Sequence, residues 1–378
     1  MEKLRGLTIK GFRSLRDLEL SLEDLTVLIG ANGSGKSNFI SFFNMLSFML
    51  SEHLQTYIAR KGAATSILHY GAKRTPILES ELEFEGPGGT SKYGFSLGFA
   101  SPDRLIFTDE YVMFHKPDKS IPYEKHLGSG HAETLLLGLA NASQDSTARQ
   151  VARVFISRLR GLQVYHFHDT SEESYIRTSQ DIGRNHFLMS NGGNLASVLH
   201  MLWENFPGHF KRIVSTIRLA VPYLKDLVLV PDRMDPNRVQ MRWRDSNPDY
   251  EFGPHHLSDG SLRAIAIITA LLQPEEMLPT VILIDEPELG LHPGAIAVIA
   301  SLIKAVADKR QVIISTQSSR LMAEFDPENV VVVDRQADDR GFGESTFKRL
   351  SHEELGAWLD EYDLGTLFEM NVTGGGPQ

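Results

Sequence analysis

The stretch Gly30-Ala31-Asn32-Gly33-Ser34-Gly35-Lys36-Ser37 matches the complete GxxxxGK[ST] pattern of a phosphate-binding loop. The apolar run 25–29 before it predicts a buried strand, and the apolar spacing of three and four residues over 39–49 predicts a helix after it. In such a context, successive backbone N–H groups surround phosphates and the helix N-terminus faces them. The sequence therefore predicts a nucleotide phosphate site at this loop.

The polar residues of this loop have expected roles. The ammonium group of Lys36 would reach the terminal phosphates as a point charge, and the Ser37 hydroxyl would ligate Mg²⁺. The residues expected to contact the nucleotide are Asn32, Gly33, Ser34, Gly35, Lys36, Ser37 and Asn38. ATP and Mg²⁺ are therefore the expected cofactors.

Composition predicts a globular chain. With 378 residues, 42% of them hydrophobic, the chain is long enough for two or three compact units. The longest apolar windows, around 42–50 and 264–272, are about half of a bilayer span, so no membrane contact is expected. Residues 1–16 mix charges throughout, which is unlike a secretory signal. The absence of cysteine excludes disulfides and makes the cytoplasm the expected location.

The predicted secondary structure changes along the chain, from mostly strands to mostly helices and then to strands and helices in alternation. Strands are predicted at 4–12, 18–20, 79–85, 92–100, 104–114, 226–230 and 239–243. Helices are predicted at 146–159, 194–206 and 209–220, and helix and strand alternate from 261 to 334. We therefore expect a discontinuous core of residues 1–120 and 224–378, with a mostly helical insert at 121–223.

A second motif, Val281-Ile282-Leu283-Ile284-Asp285-Glu286, places two acids after four apolar residues. This pattern is typical of a buried parallel strand with carboxylates at its C-terminal edge. Asp285 would hold Mg²⁺ through its water shell, and Glu286 would orient and polarise the water that attacks the γ-phosphate. The alternative is a buried strand that merely ends in two surface acids, and the phosphate loop weakens it.

A third motif, Leu257-Ser258-Asp259-Gly260-Ser261, resembles the Leu-Ser-Gly-Gly-Gln signature of ABC-type ATPases, and Asp285 follows Ser258 by 27 residues as in that family. Residues 285–293, Asp-Glu-Pro-Glu-Leu-Gly-Leu-His-Pro, resemble the Walker B motif and D-loop of the RecF, SMC and OLD (overcoming lysogenization defect) branch. The opening Ile-Lys-Gly-Phe-Arg-Ser at 9–14 is also similar to that branch. With its Leu-Gly at 364–365 and Gly-Gly-Gly-Pro at 374–377, the chain resembles stand-alone bacterial AAA-type (OLD-like) ATPases.

The resemblance implies an α/β fold: an ABC-type P-loop ATPase head with an antiparallel β layer, a mostly parallel core sheet and an inserted helical lobe. It also implies that two heads face each other head to tail, so that the signature helix of one caps the γ-phosphate bound by the other. Ser258, Gly260 and Ser261 would carry this contact. Asp259 departs from the family pattern, and Arg263 either compensates its charge or is a solvated helix residue.

A switch residue is expected after the strand at 311–314. Transporters and many OLD proteins have histidine there, whereas this chain has Gln317, which follows Asp285 by 32 residues. A glutamine amide can donate a hydrogen bond to a γ-phosphate but carries no charge, so we expect slow hydrolysis. The alternative is a loop glutamine without nucleotide contact. Gln55 is one candidate for the glutamine of the Q-loop.

Several other residues have two interpretations. On a strand, His166 and His168 would share one face and either bind a metal or form a polar edge. His255 and His256 either approach the nucleotide or lie in the loop before the signature. The arginines of 146–160 either line a nucleic-acid surface or form a solvated helix face.

The combined motifs predict an ATP-driven switch in DNA maintenance or repair, or in anti-phage defence. We expect a homodimer or higher oligomer around ATP that gates a separate, nuclease-like effector, with DNA as a candidate partner. The alternative is the nucleotide-binding subunit of an ABC membrane transporter, against which stand the roughly 220 residues that separate Ser37 from Leu257. A third interpretation is an interaction module whose slow ATPase only gates a partner. OLD proteins carry a nuclease domain after the ATPase, but only 61 residues follow Gln317, so we expect no intrinsic nuclease.

Overall fold

The computed structural model describes residues 2–119, 121–142, 144–337, 341–356 and 358–376. The chain forms two compact units. Unit 1 comprises Met1–Gln163, Pro327–Tyr362 and Leu367–Gln378, and unit 2 comprises Val164–Asp326 and Asp363–Thr366. The insert expected at 121–223 divides the chain differently and stays a prediction.

The strands and helices alternate unevenly along the chain. The strands are β1 (Lys3–Phe12), β2 (Leu15–Ser21), β3 (Leu25–Ile29), β4 (Ile77–Gly86), β5 (Gly89–Ala100), β6 (Arg104–His115), β7 (Tyr123–His126), β8 (Leu162–Tyr165), β9 (Gln180–Asp181), β10 (Asp226–Val228), β11 (Arg238–Val239), β12 (Arg242–Arg244), β13 (Val281–Asp285), β14 (Gln311–Thr316), β15 (Val330–Ala337) and β16 (Gly343–Arg349). The helices are α1 (Lys36–Met49), α2 (Leu54–Arg60), α3 (Ala63–Ile67), α4 (Leu136–Ala142), α5 (Ser146–Arg160), α6 (Leu195–Asn205), α7 (Pro207–Ala220), α8 (Asp259–Leu272), α9 (Pro293–Ala307), α10 (Ser319–Met322), α11 (His352–Leu355), α12 (Trp358–Glu361) and α13 (Leu364–Glu369).

Unit 1 contains an antiparallel sheet in the order β2-β1-β4-β5-β6-β7. Its strands alternate between buried apolar and exposed polar positions, because successive side chains of a strand point to opposite faces. The buried face packs against α1, where the rings of Phe42 and Phe95 lie stacked with their centroids 6.5 Å apart. The phosphate loop therefore leads into a helix whose apolar side is anchored on this sheet.

Unit 1 also pairs β3 with β15 in parallel and β15 with β16 in antiparallel orientation. All five residues of β3 are buried, as expected for a parallel strand that is covered on both faces. The strand that precedes the phosphate loop is thus fixed inside the core.

In unit 2, β13 and β14 run in parallel with Asp285 opposite Ser315. Two short antiparallel pairs, β10 with β12 and β9 with β11, also lie in this unit. The prediction of a single strand at 239–243 is wrong. The chain forms β11 and β12 instead, because the two halves of this stretch pair with different partner strands.

The α/β class predicted from the sequence is confirmed, with an antiparallel layer and parallel strand pairs. The helices α4 to α7 lie within residues 121–223. No helix in the described parts of the chain is both long and apolar enough to cross a membrane.

Candidate functional site

The phosphate loop joins β3 to α1 in unit 1. Gly33 and Gly35 have φ angles of 82° and 121°, which residues with side chains rarely adopt. A Cβ atom on Gly33 would meet no atom within 4 Å, whereas one on Gly35 would lie 2.0 Å from Ser345 Oγ. Gly35 is therefore needed for both conformation and packing, and Gly33 leaves open space above the loop.

The ammonium group of Lys36 is hydrogen-bonded to the phosphate loop itself. Its side chain is only 5% exposed, and Nζ donates hydrogen bonds to Gly30 O at 2.5 Å and Ala31 O at 3.1 Å. Because α1 begins at Lys36, the first N–H groups of the helix face outward from its N-terminus. Within the described residues, the buried Ser34 Oγ also has no hydrogen-bond partner. This set of donors fits a bound polyphosphate.

Side chains from two distant segments support the loop. Ser345 Oγ lies 2.5 Å from Ser34 O and 2.7 Å from Ser14 Oγ. Asn38, predicted to contact the nucleotide, donates its amide to Ser14 Oγ at 2.7 Å and accepts from Arg13 at 3.5 Å. The Arg-Ser of the opening motif thus anchors the first turn of α1.

In unit 2, the predicted acids and the predicted switch residue lie together at the carboxyl ends of β13 and β14. Asp285 Oδ1 accepts a hydrogen bond from Ser315 Oγ. The N–H of Glu286 donates to Ser315 O at 2.9 Å, and Glu286 has a positive φ of 46°. Gln317 Nε2 donates to Glu286 Oε1 at 3.3 Å. The structure therefore brings Asp285, Glu286 and Gln317 into one cluster.

Glu288 binds the switch loop, which is the segment at residues 316–317 that contains Gln317. Its Oε1 accepts from Thr316 Oγ1 at 2.6 Å and from the N–H of Gln317 at 3.3 Å. Its Oε2 is buried and has no hydrogen-bond partner among the described residues, and this burial raises the pKa of Glu288. The sequence motif contains Glu288, but nothing in the pattern indicated that it would contact the switch loop.

The two histidines of 166–168 do not lie on a strand. Strand β8 ends at Tyr165, so the interpretation that placed both side chains on one strand face is wrong. His168 Nε2 lies 3.3 Å from the carbonyl oxygen of Asp285, and the N–H of His166 donates to Ser190 O at 2.9 Å. Among the residues that the structure describes, no group of three His, Asp or Glu side chains has the arrangement of a metal site.

The signature residues form the N-terminus of α8. Ser258 caps this helix, since its Oγ accepts from the N–H of Ser261 at 3.2 Å. Ser261 Oγ in turn lies 2.7 Å from Tyr223 Oη. A Cβ on Gly260 would lie 2.0 Å from Gly290 O, so only glycine lets the helix approach the loop that follows the acids. The capped N-terminus leaves Ser258 exposed to solvent.

A buried arginine, Arg177, fixes the segment before α8. Its Nη1 donates to Pro254 O at 2.5 Å and Leu257 O at 3.2 Å, and its Nη2 donates to Asp259 Oδ1 at 2.8 Å. Partial burial raises the pKa of Asp259, but hydrogen bonds from Thr170 and Arg177 outweigh it, so the pKa is lowered overall. Asp259 therefore turns its charge toward Arg177, and no sequence motif pointed to this arginine.

Arg263 connects α8 to two other segments of unit 2. Its guanidinium donates to the carbonyl oxygens of Phe167 at 3.0 Å, His168 at 2.9 Å and Leu289 at 3.2 Å. The interpretation of Arg263 as a simply solvated helix residue is therefore wrong. The side chain ties the signature helix to the segment after β8 and to the loop after the acids.

The remaining candidates bind other parts of the protein or are exposed to solvent. In unit 1, Gln55 Nε2 donates to Leu105 O at 2.9 Å and Ala132 O at 2.8 Å. Arg158 of α5 contacts Glu2 and Ser91. In unit 2, His255 and His256 are exposed on the turn Pro254–His256. None of these contacts requires a ligand.

An ABC-type ATPase head is defined by three elements that this chain contains. They are the phosphate loop in unit 1, and the acidic strand end and the capped signature helix in unit 2. The model of one protein family matches residues 25–323, and its description reads "AAA domain, putative AbiEii toxin, Type IV TA system". Because the match covers most of the chain, the chain belongs to this family.

Two curated proteins resemble the chain. The OLD nuclease of Thermus scotoductus is 25% identical over an alignment of 355 residues, and the match covers 89% of this chain and 63% of the relative. The energy-coupling factor transporter ATP-binding protein EcfA of Methanosphaera stadtmanae is 30% identical over 164 residues, 40% of this chain and 55% of the relative. The chain thus spans less than two thirds of either relative.

A solved structure shows the same fold. An Smc head bound to the C-winged helix domain of ScpA superposes with a TM-score of 0.60 at 15% identity, covering 92% of this chain and 98% of that one. The expectation from the motifs is confirmed: the chain is an ABC-type ATPase head of the SMC and OLD branch.

Proposed function

We propose that this ATPase is a Mg²⁺-dependent switch that binds ATP, dimerises head to tail around it and then hydrolyses it. The observation that carries the proposal is the cluster of Asp285, Glu286 and Gln317 at the ends of two parallel strands. The amide of Gln317 donates to the carboxylate of Glu286, and the neighbouring carboxylate of Asp285 accepts from Ser315. Adjacent carboxylates and an amide donor at the ends of buried strands suit water activation and phosphate recognition.

Each residue then has a defined task. Lys36 and the N–H groups at the start of α1 hold the terminal phosphates. The hydroxyl of Ser37 in unit 1 and the carboxylate of Asp285 in unit 2 are each hard oxygen donors of the kind that Mg²⁺ prefers. A bound Mg²⁺ would neutralise phosphate charge. Glu286 accepts a proton from the attacking water, and Gln317 keeps the Glu286 carboxylate in position through its amide.

The signature helix acts on a second copy of the chain. The exposed Ser258, the N–H of Gly260 and the N-terminal dipole of α8 present donors that suit the γ-phosphate held by the partner copy. Asp259 does not oppose this contact, because its carboxylate is bound to Arg177. The two chains therefore complete each other's sites only when ATP is bound.

The output of the switch is a separate effector. The relative from Thermus scotoductus is named a nuclease, and the family description refers to a toxin–antitoxin system, so we propose a role in anti-phage defence or DNA maintenance in the cytoplasm. We propose that these 378 residues supply the ATPase and that any cleavage is carried out by residues outside them. Mg²⁺-dependent cleavage of DNA or RNA by the purified chain would contradict this.

A second candidate is the ATP-binding subunit of a transporter, which the likeness to EcfA favours. That likeness covers 40% of this chain, whereas the likeness to the OLD nuclease covers 89%. Purification from native cells separates the candidates: a membrane permease supports the transporter, while DNA or a non-membrane effector supports the switch.

The test of the ATPase proposal is Glu286→Gln, which keeps the shape of the side chain but removes the base. ATP binding should stay at the level of the unmodified chain, while the hydrolysis rate should fall by about 100-fold or more. Glu276→Gln, a change at an exposed acid of the same unit, should alter neither. Full hydrolysis by Glu286→Gln would remove Glu286 from the reaction.

A further inference from the structure

Residues 373–376, the glycine segment, contact the phosphate loop inside unit 1. The N–H of Ala31 donates a hydrogen bond of 2.9 Å to the carbonyl oxygen of Gly375. Both sides of this contact also pack on β15: a Cβ atom on Gly30 would lie 2.1 Å from Val333 O, and one on Gly375 would lie 3.3 Å from the same oxygen. The start of the phosphate loop is therefore packed between β15 and the glycine segment.

The loop residues in this contact are the ones that hold Lys36. Lys36 Nζ donates to Gly30 O at 2.5 Å and to Ala31 O at 3.1 Å. Ala31 thus binds Gly375 through its N–H and Lys36 through its carbonyl oxygen. The position of the carbonyl groups that orient the lysine depends on the glycine segment.

The glycine segment forms a turn. Gly374 and Gly375 both have positive φ angles, 79° and 68°. A Cβ on Gly375 would lie 2.6 Å from Val332 Cγ1, whereas one on Gly374 would meet nothing within 4 Å. The N–H of Gly376 donates to Asn371 Oδ1 at 3.1 Å, which closes the turn. Gly375 is therefore required for packing, and Gly374 only for its backbone angle.

We propose that the glycine segment supports the nucleotide site and that Gly375 is a positioning residue for the phosphate loop. The proposal rests on the proposed ATP site at this loop. A loop that is already held in its binding conformation loses less conformational entropy when the nucleotide arrives, so the segment increases affinity without touching the ligand.

The experiment compares Gly375→Ala with Gly374→Ala, because both variants carry the same cost of a left-handed alanine but only the first displaces Val332. Mg·ADP is the probe, since its binding needs neither hydrolysis nor a second copy. Titration calorimetry should show affinity about ten-fold weaker for Gly375→Ala and changed by about two-fold or less for Gly374→Ala. Hydrogen exchange of the Ala31 amide should accelerate only in Gly375→Ala.

Equal ADP affinities of the two variants would overturn the proposal. The unmodified chain provides a second test that needs no variant: ADP should slow hydrogen exchange at residues 375–376 together with the loop. Unchanged exchange at residues 375–376, in a chain that binds ADP, would overturn the positioning role while the ATPase proposal stands. A chain that binds no ADP would overturn both.

Discussion

The phosphate loop of unit 1 and the acid and signature loops of unit 2 differ in how their functional residues are held. In the phosphate loop, Lys36 bonds to carbonyl groups five and six residues earlier. In unit 2, Arg177 reaches across 77 to 82 residues to hold the segment before the signature helix. The lysine of the phosphate loop is thus bound within its own motif, whereas the segment before the signature helix is bound by an arginine that lies outside the signature motif. Variants of the two regions should therefore fail differently.

The largest effect is expected in the phosphate loop. Lys36→Ala removes a buried charge-assisted donor, so ADP affinity should fall by about 100-fold and ATP hydrolysis should be lost with it. Lys61→Ala, an exposed lysine of the same unit, is the control and should bind normally. Normal ADP binding by Lys36→Ala, measured by calorimetry, would contradict a nucleotide site at this loop.

Arg177→Lys tests the support of the signature loop in unit 2. Lysine keeps the charge but lacks the planar fork that reaches two carbonyl oxygens and Asp259 at once. ATP turnover should fall by about 30-fold, while ADP affinity should stay unchanged.

The control for this change is Arg238→Lys, since Arg238 is exposed and bonds to Ser179. It should leave turnover unaltered. If Arg177→Lys weakened ADP binding as strongly as turnover, the two regions would not differ in the way described above.

Gln317→Ala should lower turnover by about ten-fold or more, because the amide that contacts Glu286 is lost. Glutamine does not titrate, so the turnover rate of the unmodified chain should be nearly independent of pH between about pH 6 and pH 8. Gln317→His should introduce an inflection near neutrality into the plot of turnover rate against pH. An unaltered rate in Gln317→Ala would remove Gln317 from the mechanism. An inflection near pH 6.5 in the unmodified chain would point to a titrating group other than Gln317 in the rate-limiting step.

The smallest effect is expected from Glu288→Gln. Glutamine still accepts hydrogen bonds from Thr316 and Gln317, so turnover should change by about two-fold or less. Burial raises the pKa of Glu288, so its contribution to stability is present below the ordinary pKa and is lost as pH rises through the raised value. The unmodified chain should therefore lose stability relative to Glu288→Gln as pH rises from below the ordinary pKa of a glutamate through its raised value.

Denaturant titrations at several pH values measure this difference. Glu288→Ala is the matched variant that removes the acceptor as well. Relative to Glu288→Gln, which also does not titrate, it should cost about 2 kcal/mol of unfolding free energy at every pH. A stability difference between Glu288→Gln and the unmodified chain that does not vary with pH would contradict the buried position of this carboxyl group.

Local patterns predicted much of this molecule. The strand before the phosphate loop was predicted with its observed ends, and the acids at the C-terminal end of β13 and the helix after Ser258 were also found. Contacts between residues far apart in the sequence were not predictable, because no short pattern encodes them. Arg177, which binds Asp259, belongs to no motif. The hydrogen bond between Ala31 and Gly375 joins a residue near the start of the sequence to one near its end.

The errors have the same origin. The stretch 239–243 has the alternation of one strand, but its two halves pair with different partners. His166 and His168 follow an apolar strand pattern, yet β8 ends before them. In each case the end of an element is set by its partners in the folded chain rather than by its own residues.

The most direct test of the ATP-driven switch is the oligomeric state of Glu286→Gln, which should bind ATP without consuming it. Size-exclusion chromatography should show a dimer with ATP and Mg²⁺ and a monomer without them. The double variant Glu286→Gln/Ser258→Arg, whose bulky side chain blocks the N-terminus of the signature helix, should bind ATP and stay monomeric. If Glu286→Gln elutes at the same position with and without ATP, the two-headed switch is contradicted.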